Sequence, residues 1–273
     1  MKEKTFYSYF SEEEKEFVVV MISGVSGGKA AGDTCWTMTA DFLAYECDGE
    51  IFENRGFLCW LASNDEEERK HESDKFKSNR IYRIKARELK EKQTERYRNR
   101  LLVTQILNCD VQSPQLETIL EKYNEPLTIE DDILGTLTLD KQYFELSTEI
   151  QFGNNEDVCI SMEVDDEDKD SWEEPINVAR QLVQNAEKLD MDMRKFAAKE
   201  LTGNANDWQD NLDEDLPEIT QEQFAKRIVL ESIHVYEDGD YTAYYDDDDM
   251  FYGHVVVVDA NIDTGFESSY LEG

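Results

Sequence analysis

Apolar residues recur along this chain at two spacings, every second residue in some stretches and every third or fourth in others, and the order of those stretches predicts the elements. An apolar run, Phe17 to Ser23, reads as a strand that ends at a glycine-rich loop, Gly24 to Gly28. Trp36 to Tyr45 alternates, with Trp36, Met38, Ala40, Phe42 and Ala44 on one face, and Asp48-Gly49 turns the chain into a third strand, Ile51 to Ala62, broken near Gly56. Asn64 is placed to cap a polar helix running through Glu66, Glu67 and Glu68 to about Phe76. Arg80 to Leu89 sets Tyr82, Ile84 and Ala86 opposite Arg83, Lys85 and Arg87, a strand with one basic face. Leu101 to Leu107 suits a fifth strand or a helix. Ser113 as N-cap and Pro114 at the first helical position then open a helix with Leu116, Ile119, Leu120 and Tyr123 on one side, ended by Pro126.

The second half begins as a three-strand meander: Thr136 to Leu139, Tyr143 to Phe152, the Gly153-Asn154-Asn155 turn, and a strand with Val158, Ile160, Met162 and Val164 on one face. After an acidic loop, Asp165 to Asp170, a capping box of Ser171 and Glu174 predicts a helix with Ile176, Ala179, Leu182, Val183, Ala186 and Leu189 buried. A second helix through Met193, Phe196, Ala197 and Leu201 is expected to stop at Gly203. In Ile219 to Phe224, Thr220 and Gln223 form a capping box inside a hydrophobic staple of Ile219 and Phe224. Strands over Ile228 to Tyr236, Tyr241 to Tyr245, Gly253 to Asp259 and Phe266 to Leu271 close the chain, and Val255 to Val258, apolar at both parities, should be covered on both faces.

The expected class is therefore α+β. Residues 1–125 form a small β-rich domain with a C-terminal helix, and their order of three strands, a helix and two strands is that of an oligonucleotide/oligosaccharide-binding (OB) barrel. Residues 126–273 form an antiparallel sheet, ordered as meander, helices, meander, and covered by helices. A length of 273 residues suits two such cores, and 13 Phe, 13 Tyr and 4 Trp are too many aromatics for a disordered acidic chain.

Charge separates the two parts. Residues 1–125 hold 19 Lys+Arg against 24 Asp+Glu, a net of −5, whereas residues 126–273 hold 9 against 39, a net of −30; together these give −35. Such a surface repels nucleic acid and anionic membrane and attracts basic proteins or divalent cations. No apolar run reaches membrane-spanning length, and Glu12, Glu13 and Glu14 stand where a signal peptide would be apolar, so a cytoplasmic protein is expected. Five cysteines (Cys35, Cys47, Cys59, Cys109, Cys159) with no C-x-x-C pair read as reduced thiols.

Near the C-terminus, Tyr244-Tyr245-Asp246-Asp247-Asp248-Asp249-Met250-Phe251-Tyr252-Gly253-His254, followed by Asn261-Ile262-Asp263-Thr264-Gly265, resembles the closing motif of the bacterial domain-of-unknown-function family 2262. Leu134 to Asp140 is similar to that family's opening strand. The likeness covers roughly Pro126 to Gly273, and the first part is similar to the domain that can precede it. The resemblance implies domain limits and a bacterial cytosolic setting, and it implies no reaction.

Few motifs carry chemistry. Gly24-Val25-Ser26-Gly27-Gly28 has the G-x-S-x-G form of a nucleophile elbow, but no helix pattern follows it and too few strands precede it, so a flexible loop is expected. The same stretch misses the phosphate-binding loop pattern, and His71-Glu72 lacks the second histidine of a zinc-protease helix, since position 75 is Lys75. No catalytic set is legible. A divalent metal would have to draw on Asp246, Asp248 and His254, with His234 on a neighbouring strand, against the plainer reading of a solvated acidic turn.

Arg69 to Arg100 carries 13 basic residues against five acids. Its face of Arg83, Lys85 and Arg87, with Tyr82 or Tyr97, would suit single-stranded nucleic acid on an OB barrel, although the −30 neighbour favours intramolecular or protein contacts. The leading functional expectation is a non-catalytic module, immunity- or inhibitor-like, that captures a basic protein partner. Its contact set would be Tyr244, Tyr245, Asp246, Asp247, Asp248, Asp249, Phe251, Tyr252 and His254. A metal-dependent hydrolase built on the acidic turn and a nucleic-acid-binding first domain are the alternatives.

Overall fold

The computed structural model describes residues 3–90, 99–164, 172–209 and 217–273. The chain divides into two compact units, Met1–Glu125 and Pro126–Gly273.

In the first unit a short helix α1 (Glu3–Ser8) precedes strands β1 (Lys15–Gly28), β2 (Trp36–Cys47), β3 (Glu50–Phe52) and β4 (Gly56–Ala62), helix α2 (Glu66–Ser73), strands β5 (Arg80–Glu88) and β6 (Arg100–Cys109), and helix α3 (Pro114–Asn124). β1 pairs antiparallel with both β2 and β5; β2 pairs with β4, β4 runs parallel to β6, and β6 pairs with β5, so the hydrogen bonding returns to its start. Register shifts at Val20/Met21 and Met21/Val25 bend the 14-residue β1 enough to serve two neighbours.

Phe17, Val19, Met38, Phe42, Leu58, Trp60, Tyr82 and Ile84 fill the interior, with Phe76 against Trp60 and Tyr82. Outside, Leu116 of α3 covers Val18, Val20 and Ile81, while Phe6 and Phe10 cover Cys59 and Leu102. Burial pushes the Cys59 thiol up to about 12, which keeps it protonated and inert.

Two local expectations fail here. Gly24 to Gly28 is not a loop but the end of β1, paired from Val25↔Ala40 to Gly28↔Thr37, so Ser26 sits on an extended strand rather than on a strained elbow. Asp65, not Asn64, caps α2 by accepting the Glu68 N–H at 3.0 Å, because Asn64 is held by Lys29 and the Thr34 carbonyl.

Among the described residues the second unit is one eight-stranded sheet under three helices. Four strands, β7 (Thr128–Asp131), β8 (Gly135–Asp140), β9 (Glu145–Phe152) and β10 (Asn155–Glu163), lead to α4 (Glu173–Gln184), α5 (Ala186–Gln209) and α6 (Gln221–Arg227). Four more follow: β11 (Val229–Val235), β12 (Asp240–Asp246), β13 (Val255–Asn261) and β14 (Gly265–Glu272). The strand order is β14-β13-β12-β11-β10-β9-β8-β7.

The sheet is not wholly antiparallel. β10 and β11 run parallel, Cys159↔Ser232 to Met162↔Val235, because the three helices carry the chain back to the end of the sheet where β10 began. The first meander also gains β7, whose four residues are too few to show a period. The helical boundaries differ as well. α4 ends at Gln184, with Asn185 as its C-cap, and α5 starts at Ala186, running six residues past Gly203, where Ala205 is buried and Trp208 packs edge-on to Phe251. Tertiary burial there outweighs a glycine cost of about 1 kcal/mol. The expected Ser171 cap and the Asp165–Asp170 loop lie outside the described residues, whereas the Thr220/Gln223 capping box is present in full.

Arg180 on α4 ties that helix to the edge strand. Its Nε donates to Asp131 Oδ2 at 2.9 Å, and Asp131 Oδ1 accepts the Ile133 and Leu134 N–H groups at 2.9 Å each. Burial alone would raise the Asp131 pKa. The Arg180 guanidinium and the two backbone donors outweigh it and hold the carboxyl below its ordinary 3.8. A depressed folded pKa contributes stability that is present above the unfolded value and lost as pH falls through the folded one. Asp131→Asn should therefore cost about 1–2 kcal/mol at pH 7, with the gap to wild type closing below about pH 4 in urea titrations run at successive pH values.

Candidate functional site

The acidic turn folds on itself. Asp246 Oδ1 accepts the Asp248 N–H at 2.8 Å, and Asp247 accepts the N–H groups of Asp249 and Phe251. Asp248, its carboxylate 2.6 Å from Arg227 Nε, is thereby tied to α6. Asp248, Asp249 and Tyr252 take positive φ to close the turn.

Asp247, Tyr245 and Phe251 are buried, which removes three members of the expected contact set from any outer surface. Tyr245 and Phe251 are core residues because β12 directs Tyr245 toward the helices and Phe251 meets Trp208 and Phe224. Tyr252 is exposed and stacks on Trp208 at 5.7 Å. His254 donates from Nδ1 to the Phe251 carbonyl at 2.6 Å and lies edge-on to Trp208.

The candidate metal ligands do not converge. His234 aligns through Thr242 with Asp259, five residues along β13 from His254, roughly 17 Å at strand rise. No group of three or more His, Cys, Asp or Glu able to hold a metal occurs among the described residues. In the first unit Arg83 is exposed, Lys85 lies 3.8 Å from Glu14 and Arg87 is half-buried. Tyr82 is interior, and its hydroxyl accepts the Lys77 N–H at 3.0 Å. Tyr97 falls outside the described residues.

The sheet face opposite the helices is open at Tyr270, Glu149, Glu163 and Glu272, half-buried at Tyr236, Tyr244 and Asp259, and closed at Val257, Thr242 and Ser161. Alternation sends Leu137, Leu146, Ile160, Ile233, Ala243 and Val258 to the helix-covered core, and therefore sends the intervening residues to the other side. One line of register crosses all eight strands there: Thr128, Thr138, Ser147, Ser161, His234, Thr242, Asp259, Ser268. Asp259 accepts from Thr242 at 2.9 Å and from Ser268 at 2.8 Å.

Beside this line Tyr244, Val257 and Tyr270 are adjacent in register, and the Tyr236 ring lies 4.5 Å from that of His234. Burial, a hydrogen bond with Tyr236 and the neighbouring Glu272 and Tyr270 push the Tyr244 phenol well up; burial, Asp259 and Glu272 raise Tyr270. Both phenols stay neutral hydrogen-bonding groups beside carboxylates. Glu145, Glu149 and Glu163 continue the acidic character over β9 and β10.

Ser161 Oγ lies 2.7 Å from His234 Nδ1, and Glu145 Oε2 lies 3.6 Å from the same nitrogen. A hydrolytic relay needs the serine and the acid on opposite ring nitrogens, so this cluster orients the imidazole and is not a triad. Sequence reading missed this face. Its signal was the polar half of the strand alternation, whose apolar half had already defined the core.

The molecule is thus a two-unit α+β protein with two sheets, the second presenting one polar, tyrosine-bearing face. It belongs to the family described as "Uncharacterized protein conserved in bacteria (DUF2262)", which matches residues 131–271. Residues 2–123 match a second family, "Domain of unknown function (DUF7021)". No curated protein matches the chain. Among solved structures, the wild-type single-stranded DNA binding protein from Thermus aquaticus aligns at 6% identity over 55% of this chain and 72% of that one, with a TM-score of 0.23, too low to carry an inference. Among the described residues no helix is long and apolar enough to cross a membrane.

Proposed function

We propose that this is a non-catalytic binding protein whose acidic second unit captures a basic protein partner on the sheet face opposite the helices. The observation that carries the reading is the grouping of Tyr236, Tyr244 and Tyr270 with Asp259 and Glu272 on that face, in a unit holding 39 acidic residues against 9 basic ones. Tyrosine supplies wide contact area and a hydroxyl at low entropic cost, while surrounding carboxylates steer a cationic partner and reject anionic ones. The contact surface thereby moves from the acidic turn to the sheet, with Tyr244 the member of the expected set that stays in it.

The first unit we read as OB-like, because its strands pair as a returning ring with α2 between the third and fourth long strands. In such rings the second and third strands commonly bind oligonucleotides, and here β2 and β4 contain no Lys or Arg while Phe6 and Phe10 cover Cys59. That favours a protein partner over nucleic acid.

The test is affinity capture from native bacterial lysate on the full chain, beside the variant Glu145→Lys/Glu149→Lys/Glu163→Lys. The expected result is a basic protein retained at low salt, released at high salt and reduced roughly tenfold on the variant. Equal retention by both chains would remove the proposal.

A further inference from the structure

We propose that the groove between α5 and α6 is a binding site for a small amphiphilic anion, a molecule with an apolar body and an acidic head such as a carboxylate or sulfonate. The groove is a cavity of about 920 Å³ bordered by α5, α6 and the Asn154-Asn155 turn, within the size range of small-molecule sites. Lys188, Met191, Lys195 and Ala198 follow one another at helical spacing along one side of α5, so cationic and apolar side chains alternate down the same wall. Met191 leaves about half its surface uncovered, at 49%. Ala225 and Lys226 face them from α6.

The floor is built and rigid. Asp190 is 8% exposed; both its oxygens accept from Arg194 Nε at 2.9 Å, and it also accepts from Asn155 Nδ2 at 3.1 Å and from the Tyr245 hydroxyl at 3.1 Å. Arg194 in turn donates to Asn155 Oδ1 and to the Ile228 carbonyl. A polar network with its members paired in this way holds the groove's shape without a ligand.

Charge selects the head group. Residues 126–273 contain only nine Lys and Arg, and four of them, Lys188, Arg194, Lys195 and Lys226, line this one groove. Of its three acids, Asp190 is held by Arg194 and Tyr245 and Glu222 lies 2.7 Å from Lys226, which leaves Lys188 and Lys195 to meet an anion beside the third acid, Glu187, with Lys195 3.8 Å from Asp192 and still largely exposed. The remainder of the unit repels anions, but that field decays over about 8 Å at physiological ionic strength, so contacts inside the groove decide binding once a ligand is seated.

The probe is 8-anilinonaphthalene-1-sulfonate, apolar with one anionic head, titrated by fluorescence into the full chain, with thioflavin T as an apolar cation. We expect saturable 1:1 binding of the sulfonate, weakened roughly tenfold by Lys188→Glu/Lys195→Glu and also by Met191→Glu. The charge-matched Lys141→Glu/Lys199→Glu, outside the groove, should leave it unchanged. Each variant's urea midpoint is measured alongside, so that dye bound by loosened protein is recognised. No saturable sulfonate binding, equal weakening by the outside pair, or thioflavin T binding that is lost in the same groove variants would each overturn the proposal.

Discussion

Replacing Arg194 by alanine should lower the unfolding free energy of the second unit by about 3–5 kcal/mol, the range for stripping one partner from a buried ion pair. The cost comes from what is left behind. Asp190 would stay at 8% exposure with only Asn155 and Tyr245 to donate to it, and the Ile228 carbonyl and Asn155 Oδ1 would lose their guanidinium donors. Arg194→Lys should recover only part, because a single ammonium cannot reach Asp190, Asn155 and Ile228 at once as the planar fork does. Tyr245→Phe, which removes one donor and keeps the ring, should cost about 1–2 kcal/mol. Urea unfolding followed through Trp172 and Trp208, with Trp36 and Trp60 replaced by phenylalanine, isolates this unit's transition. A loss under about 1 kcal/mol for Arg194→Ala would mean that the network is not a structural element of the unit.

The second large effect belongs to Gly56. A Cβ built there would overlap the Asn99 carbonyl oxygen and the edge of the Phe42 ring. Neither neighbour can move cheaply. Phe42 is fully buried in the interior of the first unit, and the Asn99 carbonyl accepts the Phe57 N–H at 2.9 Å. That bond immediately precedes the Phe57↔Arg100 pairing through which β4 and β6 join and the ring of strands closes. Gly56→Ala should thus cost about 3 kcal/mol, the upper end of overpacking, in the transition of the first unit alone. Gly24→Ala and Gly28→Ala, where an added methyl meets nothing within 4 Å, should change stability by no more than about 0.5 kcal/mol. Similar losses at all three glycines would show that the contact at Asn99 does not set the cost, since an added methyl by itself lowers the entropy of the unfolded chain and favours the fold.

The elements that local chemistry specifies are legible in the chain itself. Thr220 and Gln223 form their reciprocal cap whatever surrounds them, since both partners lie within three residues. The alternation from Val158 to Val164 likewise names the residues that reach the core. The break near Gly56 is visible too, though its cause is not: Asn99 is 43 residues away in the chain, and no local pattern reports that its carbonyl comes to lie over the glycine.

The candidate site is read least well, for the same reason. Tyr244, Tyr245 and Phe251 look alike in a run of aromatics and aspartates, yet β12 sends Tyr245 under the helices and Tyr244 to the opposite face, a difference of one residue in strand parity. Asp190 and Arg194 show only a helical i, i+4 pair in sequence; their partners Asn155 and Tyr245 lie 35 and 55 residues away from Asp190.

By itself the sequence determined the α+β class, the Thr220/Gln223 cap, the strand alternation and the concentration of negative charge after residue 125, because each depends on composition or on neighbours within a few positions. Only the tertiary structure decided that the strands of the first unit return on themselves, that β10 and β11 meet in parallel, and that the aspartate turn is spent on its own backbone while the tyrosines gather on the sheet. Those outcomes are set by which distant strands share hydrogen bonds, and pairing across tens of residues leaves no period in the chain to read.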